Sequence, residues 1–389
     1  MVIVVIGGGF AGLSAAREID HRLPFDSQHE IILIDRHDYT TMLPSLPDVA
    51  GRRVEPDRVR ETIVSQISRR VRFVHETVDY VDCATRTIVM DDTQLVYDRL
   101  VFAPGSRVNF YQHEEPFTHN LKLDCLDDAI KIRDSFARAL FNTENLNVVI
   151  SGGGFTGMEV ASNLYRYAGF LERACNIYIV DRNTTVLPSL GEKQARYVME
   201  QMAHLGFNFI LDNEVESYQD QVVTLKSGEK ISNAFFVWCS GVKLAIPIRG
   251  TMQQIRDGRI VVDEFLRIPE YPDVYVAGDA AAVKTDDGYL RRAVNFAAMG
   301  GKLAARNLVA AIKGERLKAF KPIDLGWVIP LYTTSVGEAF GMKTQGRIGI
   351  PLHYLMCGIK NYNVKNVSSY AGYAFKFSFA RRFRRYTGD

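Results

Sequence analysis

A glycine-rich turn at the start of the chain constrains the fold more than any other feature. Five apolar residues at positions 2–6 run directly into Gly7, Gly9 and Gly12, which have the spacing G-x-G-x-x-G. The apolar run predicts a strand. The glycines permit a tight turn, close approach of the backbone to a diphosphate and close packing of the next helix, whose first N–H groups point at the anion. The stretch therefore predicts a dinucleotide-binding βαβ unit.

The same pattern returns after a second predicted strand at residues 147–150. Its glycines are Gly152, Gly154 and Gly157. In each copy the next apolar strand ends in an acidic residue, Asp35 or Asp181, which suits the hydroxyl groups of a ribose. The first glycine and the acid are 28 residues apart in one copy and 29 in the other. This internal repeat indicates two dinucleotide-binding units in one chain.

Two further strand ends carry residues suited to a cofactor. One strand, at 100–103, leads into the turn at 103–105, and another, at 275–277, leads into Gly278-Asp279. Ligands of open α/β sheets bind at the carboxyl ends of the strands, so these ends are expected to lie near one dinucleotide. The helical pattern at 293–312 begins soon afterwards, and a helix start favours negative charge on a reduced flavin. Two dinucleotide-binding sites in one chain suit a relay in which a nicotinamide passes hydride to a flavin.

Cysteine and charge patterns narrow the remaining functions. The five cysteines are far apart and form no C-x-x-C pair, and the histidines are isolated, so no metal site and no local dithiol are predicted. Residues 321–389 carry a balance of +7 and the rest of the chain −5. A basic, aromatic tail suggests an anionic membrane surface, whereas no RNA-binding motif supports a nucleic-acid partner. No signal peptide and no apolar run of the ~20 residues needed to span a bilayer is predicted.

Several segments resemble the flavoprotein superfamily that has two dinucleotide-binding domains and a pyridine nucleotide-disulfide oxidoreductase-like fold. These segments are 3–12, 97–105, 149–160, 236–242 and 274–279. The runs IDRHDYTTMLPSLPDVAG and GGFTGMEV narrow the resemblance to type II NADH:quinone oxidoreductases and their relatives, which include the sulfide:quinone reductases. The resemblance covers about residues 1–345 in outline.

The resemblance implies FAD at the first glycine motif, with Asp35 on the adenosine ribose and Asp279 on the ribityl chain. It implies NADH at the second motif, with Asp181 on the ribose 2′-hydroxyl, although Arg182 leaves NADPH open. The expected cofactor-binding residues are Gly7, Gly9, Phe10, Ala11, Gly12, Asp35, Arg36, Leu43, Ala103, Pro104, Gly105, Gly278, Asp279, Gly152, Gly154, Phe155, Thr156, Gly157, Asp181 and Gly241.

Two residues are candidates for a catalytic role. Glu159 matches a glutamate that lies near nicotinamide and quinone in the type II dehydrogenases, although an acid in the first turn of a helix also stabilises the helix dipole. Asn295 lies in the stretch 294–299, which matches the A-Q-x-A-x-Q motif associated with the quinone site in that family. Asn295 and Met299 replace both glutamines. The sequence therefore does not decide whether the electron acceptor is a quinone or another small molecule.

Two other functions remain open. A sulfide-oxidising flavoprotein would use cysteines beside the flavin, and Cys357 suits one of them, whereas residues 158–167 contain none. A non-catalytic flavoprotein that senses NADH is the second alternative.

The predicted fold class is α/β, with two Rossmann-like domains in a glutathione-reductase-like arrangement and a small C-terminal α/β tail. The FAD domain comprises residues 1–112 and 253–322, and the NAD(P)H domain comprises 113–252. Residues 323–389 form a segment for membrane association or dimerisation, which predicts a peripheral protein on the cytoplasmic side of the membrane, or a cytoplasmic one. Residues 53–70 have helical spacing.

Overall fold

Parallel strands with apolar side chains on both faces form the centre of each half of the molecule. The computed structural model describes residues 1–25, 28–91, 93–111, 120–251, 254–255, 257–286, 288–339, 341–359 and 364–378. The chain folds as two units. Unit 1 comprises Met1–Thr41, Glu61–Arg107 and Val242–Asp324, and unit 2 comprises Met42–Arg60, Val108–Gly241 and Leu325–Asp389.

The helices are α1 (Phe10–Arg22), α2 (Leu46–Ala50), α3 (Leu126–Asn142), α4 (Phe155–Phe170), α5 (Glu192–Ala203), α6 (Val294–Lys313), α7 (Gly349–Ile359) and α8 (Val364–Ser378). Short 3₁₀ turns occur at Leu43–Ser45, Pro56–Arg58, Val64–Gln66 and Gly278–Ala280.

The strands are β1 (Val2–Ile6), β2 (Glu30–Asp35), β3 (Tyr39–Thr41), β4 (Arg60–Thr62), β5 (Val71–His75), β6 (Tyr80–Asp82), β7 (Thr87–Met90), β8 (Thr93–Val96), β9 (Arg99–Phe102), β10 (Ser106–Val108), β11 (Leu121–Lys122), β12 (Asn147–Ser151), β13 (Asn176–Asp181), β14 (Phe207–Leu211), β15 (Val215–Gln219), β16 (Val222–Leu225), β17 (Lys230–Ile231), β18 (Ala234–Trp238), β19 (Val242–Leu244), β20 (Ile248–Arg249), β21 (Ile260–Val261), β22 (Arg267–Ile268), β23 (Tyr271–Val276), β24 (Ala281–Ala282), β25 (Lys284–Thr285), β26 (Gly288–Tyr289), β27 (Gly326–Leu331), β28 (Thr334–Ala339) and β29 (Met342–Gln345).

The main sheet of unit 1 has the strand order β22-β23-β9-β1-β2-β5. All neighbours are parallel except the β22–β23 pair. Residues Ile3 to Ile6 of the central strand are fully buried, as expected for a parallel sheet that is covered on both faces. Helices α1 and α6 pack so closely that a Cβ atom on Gly301 would lie 2.0 Å from the carbonyl oxygen of Ala11.

Unit 2 repeats this design with a parallel sheet of order β11-β18-β12-β13-β14. An antiparallel sheet of β15, β16 and β17 adjoins it in sequence, and the C-terminal part adds the antiparallel sheet β27-β28-β29 and helices α7 and α8. The phenol rings of Tyr354 and Tyr370, from these two helices, are fully buried. The C-terminal segment and residues 42–60 therefore pack within unit 2, whereas the sequence predicts a separate tail and places 42–60 with the first domain.

The helical spacing of residues 53–70 does not produce an α-helix. The segment instead contains the 3₁₀ turns Pro56–Arg58 and Val64–Gln66 on either side of the short strand Arg60–Thr62. Because Pro56 cannot donate a backbone hydrogen bond, a helix running through it would lose part of its ladder. The arginine-rich run 381–385 and the predicted boundaries at 112–113 and 252–253 lie outside the described residues.

Candidate functional site

The first glycine loop has the geometry of a diphosphate cradle. Gly7 has φ of +100°, and a Cβ atom on it would lie 2.1 Å from the carbonyl oxygen of Ala103. A Cβ atom on Gly12 would lie 1.7 Å from the carbonyl oxygen of Gly7. At Gly9, the N-cap of α1, an added Cβ would meet no atom of the described chain within 4 Å. The loop is thus closed at its base and open where a helix start would face an anion.

Asp35 stabilises this loop from the end of the neighbouring strand. Its Oδ2 atom accepts a hydrogen bond from the N–H of Gly8 at 2.5 Å, and its Oδ1 atom accepts one from the N–H of His37 at 2.8 Å. The carboxylate is partly exposed and lies at the carboxyl edge of the sheet. Arg36, also predicted to bind cofactor, has an exposed side chain.

The second glycine loop has nearly the same backbone geometry and contacts as the first. Gly152 has φ of +105°, and a Cβ atom on Gly157 would lie 1.9 Å from the carbonyl oxygen of Gly152. Oδ2 of Asp181 accepts a hydrogen bond from the N–H of Gly153 at 2.6 Å. Within the described residues nothing lies within 4 Å of a Cβ built on Gly154, the N-cap of α4. The repeat in sequence is therefore a repeat in backbone geometry.

The other predicted residues of unit 1 meet beside the first loop. Ala103 forms its back wall, with Pro104 and Gly105 next along the chain, and a Cβ atom on Gly278 would lie 2.9 Å from the Cβ atom of Ala11. Asp279 accepts a hydrogen bond from the hydroxyl of Ser106 at 2.9 Å. A pocket beside it is lined by Gly278, Asp279, Arg292, Ala293, Phe296 and Ala297. Phe10 and Ala11 are buried at the start of α1 and support the loop through packing.

Asn295 is held in a structural hydrogen bond. Its side chain is buried, and its Nδ2 atom donates to the backbone carbonyl of Ile323 at 3.1 Å. The amide therefore already has a partner within unit 1.

Phe155, Thr156, Gly241 and Leu43 are the remaining predicted residues of unit 2. Phe155, the first residue of α4, stacks on Trp327 of β27 with ring centroids 5.0 Å apart, while Thr156 is exposed. A Cβ atom on Gly241 would lie 2.1 Å from the hydroxyl oxygen of Tyr111. Leu43, also predicted to bind the cofactor, belongs to this unit and is exposed.

Arg182 also contacts Tyr111. Its guanidinium lies 5.1 Å from the centre of the Tyr111 ring. The cation next to Asp181 is therefore stacked on an aromatic face.

Glu159 lies in the second turn of α4, two residues beyond the last glycine of the second loop, and not in the first turn where the sequence predicts it. Its side chain is half-buried, and the surrounding protein shields the carboxyl from water. Burial raises the pKa of Glu159, the positive charge of His353 opposes this effect and the negative charge of Asp48 adds to it, so that the pKa is raised to about 8. This carboxyl group is mostly protonated at neutral pH.

Several polar residues near Glu159 were not found by sequence reasoning. Asp48 and His353 are buried, and the hydroxyl of Tyr354 donates to Oδ1 of Asp48 at 2.8 Å. The guanidinium of Arg53 lies 5.2 Å from the centre of the Tyr354 ring, and Arg166 donates to the carbonyl of Gly51 at 2.6 Å. No motif marks these positions, because they converge from three distant segments of the chain.

The cysteines are all free thiols. Burial raises the pKa of Cys83, Cys175 and Cys239 to about 12 and also raises that of Cys125. These four side chains are therefore mainly protonated thiols at neutral pH, which are weak nucleophiles. Cys357 is buried, with its Sγ atom 3.8 Å from Nε2 of His353. Across the described ranges, no helix is long and apolar enough to cross a bilayer.

Known proteins with similar sequences cover most of this chain. A type II NADH:quinone oxidoreductase of Haemophilus influenzae is 24% identical over 85% of this chain and 84% of its own length. A type II NADH:quinone oxidoreductase of Mycobacterium tuberculosis is 27% identical over 83% of this chain and 75% of its own length.

Solved structures agree on the fold. NDH2 from Plasmodium falciparum in complex with NADH has a TM-score of 0.84 at 16% identity, covering 98% of this chain and 99% of that one. The sulfide:quinone oxidoreductase from Aquifex aeolicus has a TM-score of 0.72 at 16% identity, covering 95% and 92%. The fold, the duplicated glycine loops and a family model that matches residues 1–300 agree: the chain belongs to the pyridine nucleotide-disulphide oxidoreductase family.

Proposed function

We propose that this protein is an FAD-dependent oxidoreductase that takes hydride from NADH and passes the electrons to a quinone or a similar small acceptor. The observation that carries the proposal is the duplicated loop, in which an acidic strand end binds the glycine turn at 2.5 Å in one unit and 2.6 Å in the other. The names of the relatives, type II NADH:quinone oxidoreductases, support the same activity.

FAD is assigned to unit 1. The open space at Gly9 suits the diphosphate, Asp35 suits the adenosine ribose, and Asp279 suits the ribityl hydroxyls. A bound flavin would supply the two-electron chemistry that no side chain of the protein supplies. The protein's contribution is to hold the diphosphate at the start of α1 and to keep Asp279 oriented through Ser106.

NADH is assigned to unit 2. Asp181 ends the strand beside the second glycine loop, where its carboxylate suits the ribose hydroxyls of a dinucleotide. A carboxylate there disfavours a 2′-phosphate, so NADH is preferred over NADPH. The guanidinium of Arg182 is stacked on Tyr111 through its face, which leaves its charge and its N–H edge unchanged, so NADPH stays the alternative cofactor. Phe155 and Trp327 support the loop from the other side.

The electron acceptor is the less specific part of the proposal. The names of the relatives favour a quinone. Asn295, which stands where the related enzymes have a glutamine, donates one N–H of its amide to the carbonyl of Ile323 and retains a second N–H and its carbonyl oxygen. A quinone here would therefore lack the usual pair of glutamines.

The C-terminal helices are proposed to hold the protein on the cytoplasmic side of the membrane. Leu355 of α7 and Val367 and Phe375 of α8 have exposed apolar side chains, and the tail carries an excess of positive charge. Co-sedimentation with anionic vesicles should fall when Phe375 is replaced by Asp, whereas Phe141→Asp, an exposed position on α3, should leave it unchanged. Equal binding of both variants would contradict membrane docking, and pairing of two chains without vesicles would identify a homodimer surface instead.

Rapid anaerobic mixing of the purified, flavin-loaded protein with NADH tests the central proposal. The flavin absorbance should bleach, and a soluble quinone should restore it. Protein that does not bind FAD would contradict the proposal outright. Bound flavin that NADH does not bleach would contradict the oxidoreductase activity and leave a non-catalytic flavoprotein.

Sulfide is tested in the same apparatus. Bleaching by sulfide that depends on Cys357 would favour the sulfide-oxidising alternative. The high pKa values of the other buried thiols argue against it.

A further inference from the structure

A pocket of unit 1 lies beside the first glycine loop, where β23 ends. Its lining includes two groups of opposite charge, the carboxylate of Asp279 and the guanidinium of Arg292. The hydroxyl of Ser106 donates to Asp279 at 2.9 Å and orients that carboxylate. The pocket therefore offers a bound molecule both a fixed hydrogen-bond acceptor and a cation with N–H donors.

The strand order of the sheet determines which half of a dinucleotide reaches this pocket. The order is β23-β9-β1-β2, so Asp35 at the end of β2 and Asp279 after the end of β23 lie on opposite sides of the loop that follows β1. A Cβ atom on Gly278 would lie 2.9 Å from the Cβ atom of Ala11, so the pocket adjoins the first turn of α1. A dinucleotide with its diphosphate at this loop and one ribose at Asp35 therefore extends its other half over β9 and β23.

Arg292 has N–H groups that the described part of the chain does not use. Its Nε and Nη2 atoms are buried and make no hydrogen bond there, whereas the side chain as a whole is 23% exposed. Nη2 lies 3.1 Å from Oδ2 of Asp257, an ion pair without hydrogen-bond geometry. The same oxygen already accepts from Nε of Arg259 at 2.9 Å, so two guanidinium groups share one carboxylate. Because buried donors without an acceptor are unfavourable, a ligand that accepts from Arg292 would stabilise this arrangement.

The two neighbouring arginines of the pocket are hydrogen-bonded elsewhere. Arg259 also donates from Nη1 to the backbone carbonyl of Leu290 at 2.7 Å. Arg291 donates from Nη2 to Asp324 at 2.7 Å. Arg292 differs from both in keeping buried donors for a bound molecule.

We propose that Arg292 is a flavin-binding residue that donates to the carbonyl-bearing pyrimidine edge of the isoalloxazine and stabilises the reduced flavin. This inference rests on the proposed function, in which unit 1 holds FAD. The flavin half of FAD carries hydroxyl groups on its ribityl chain, which suit Asp279, and ring carbonyl oxygens, which suit Arg292. A flavin that accepts a hydride, which is two electrons and one proton, gains one negative charge. The cation of Arg292 favours that charged form over the oxidised one.

The midpoint potential of the bound flavin measures this preference. Arg292→Gln keeps N–H donors but removes the charge, so reduced flavin should lose about tenfold in affinity relative to oxidised flavin, and the potential should fall by about 30 mV. Arg292→Lys keeps the charge without the planar fork, so its potential should lie between the two. Photoreduction beside a reference dye gives each potential without NADH.

Lys313→Gln is the matched control, because it also removes one positive charge from α6. Lys313 is exposed and lies in the last turn of this helix of 20 residues, about 30 Å from its start, so solvent and salt screen its charge from the pocket. Its potential should not change. Asp257→Asn removes the charge that opposes Arg292, so it should raise the potential.

A lower potential in Arg292→Gln, with an unchanged one in Lys313→Gln, would support the inference. An unchanged potential in Arg292→Gln, or an equal fall in both variants, would overturn it. Asp257→Asn decides if Arg292→Gln does not fold, and a potential that does not rise in it would likewise overturn the inference. Flavin that NADH does not bleach would contradict the proposed function and leave the measured potentials valid, whereas protein that binds no FAD would overturn both.

Discussion

The hydroxyl of Tyr354 donates a 2.8 Å hydrogen bond to the carboxylate of Asp48, although the two residues are 306 positions apart in the chain. Both side chains are buried. The bond attaches the C-terminal helix α7 to the short helix α2 inside unit 2. Burial, together with the nearby negative charge of Asp48, raises the pKa of Tyr354 well above its ordinary value, so the phenol stays a donor at every physiological pH.

Removal of this hydroxyl should destabilise unit 2. In Tyr354→Phe the buried carboxylate of Asp48 loses a donor, and the free energy of unfolding should fall by about 1–3 kcal/mol. Both tryptophans, Trp238 and Trp327, lie in this unit, so urea unfolding followed by tryptophan fluorescence reports on it.

Tyr289→Phe is the control, since it removes a hydroxyl from an exposed side chain of unit 1. It should leave the fluorescence transition unchanged. Equal transitions for Tyr354→Phe and the unmodified protein would show that Asp48 finds another donor.

The glycine loops could be predicted from sequence because their geometry is local. The turn at Gly7, the helix start at Gly9 and the strand-end carboxylate of Asp35 follow rules that involve fewer than about thirty residues. The hydrogen bonds from the N–H of Gly8 to Asp35 and from the N–H of Gly153 to Asp181 are a further feature that these rules do not mention, because the rules assign the carboxylate to the ribose.

The cluster around Glu159 could not be predicted, because nothing local specifies it. His353 shows no ligand spacing, and Asp48 is an ordinary acid in a loop when read from sequence alone. Their neighbours are decided by how α7 packs in unit 2, a tertiary contact that no periodicity encodes. The helix predicted from the spacing of residues 53–70 was wrong because Pro56 has no N–H to donate to a helix that runs through it.

Addition of a methyl group at Gly154 should weaken NADH binding without unfolding the protein. In the described residues a Cβ at this position meets nothing within 4 Å, so the fold can accept it. The same space is where the diphosphate would pass, so the Kd for NADH should rise by about tenfold or more, equivalent to about 1.4 kcal/mol. Fluorescence titration of the flavin-loaded protein with NADH measures this change.

Gly169→Ala is the matched control, because an added Cβ there also meets no described atom within 4 Å but lies in the last turn of the same helix. It should leave the Kd unchanged and, if anything, stabilise the helix. Similar NADH affinity in both variants would contradict the placement of the dinucleotide.

The charge of Asp181 should decide between the two nicotinamide cofactors. Asp181→Asn keeps an acceptor for the N–H of Gly153 but removes the negative charge that disfavours a 2′-phosphate. The ratio of kcat/KM for NADH to that for NADPH should fall by about tenfold. Steady-state assays with both cofactors measure it, and Asp220→Asn, in an exposed turn of unit 2, should not change it. A ratio that does not move would show that Asp181 does not face the ribose.

Stability of unit 1 should depend on pH through Glu18. This carboxylate of α1 accepts hydrogen bonds from Arg306 of α6 at 2.7 Å and from Arg22 at 2.5 Å. Burial raises its pKa, but these bonds and charges outweigh burial, and the pKa of Glu18 is lowered overall from 4.5. A lowered pKa stabilises the folded state above pH 4.5, and that contribution is lost as the pH falls through the folded value.

Glu18→Gln should therefore lower the free energy of unfolding by about 1–3 kcal/mol at neutral pH, and the difference from the unmodified protein should shrink in acid. Thermal unfolding followed by circular dichroism across this pH range measures both effects. Glu30→Gln is the control, because Glu30 pairs with Arg72 at 2.9 Å on an exposed surface, where an ion pair contributes little. A pH-independent loss in Glu18→Gln would assign the effect to packing between α1 and α6 rather than to the charge.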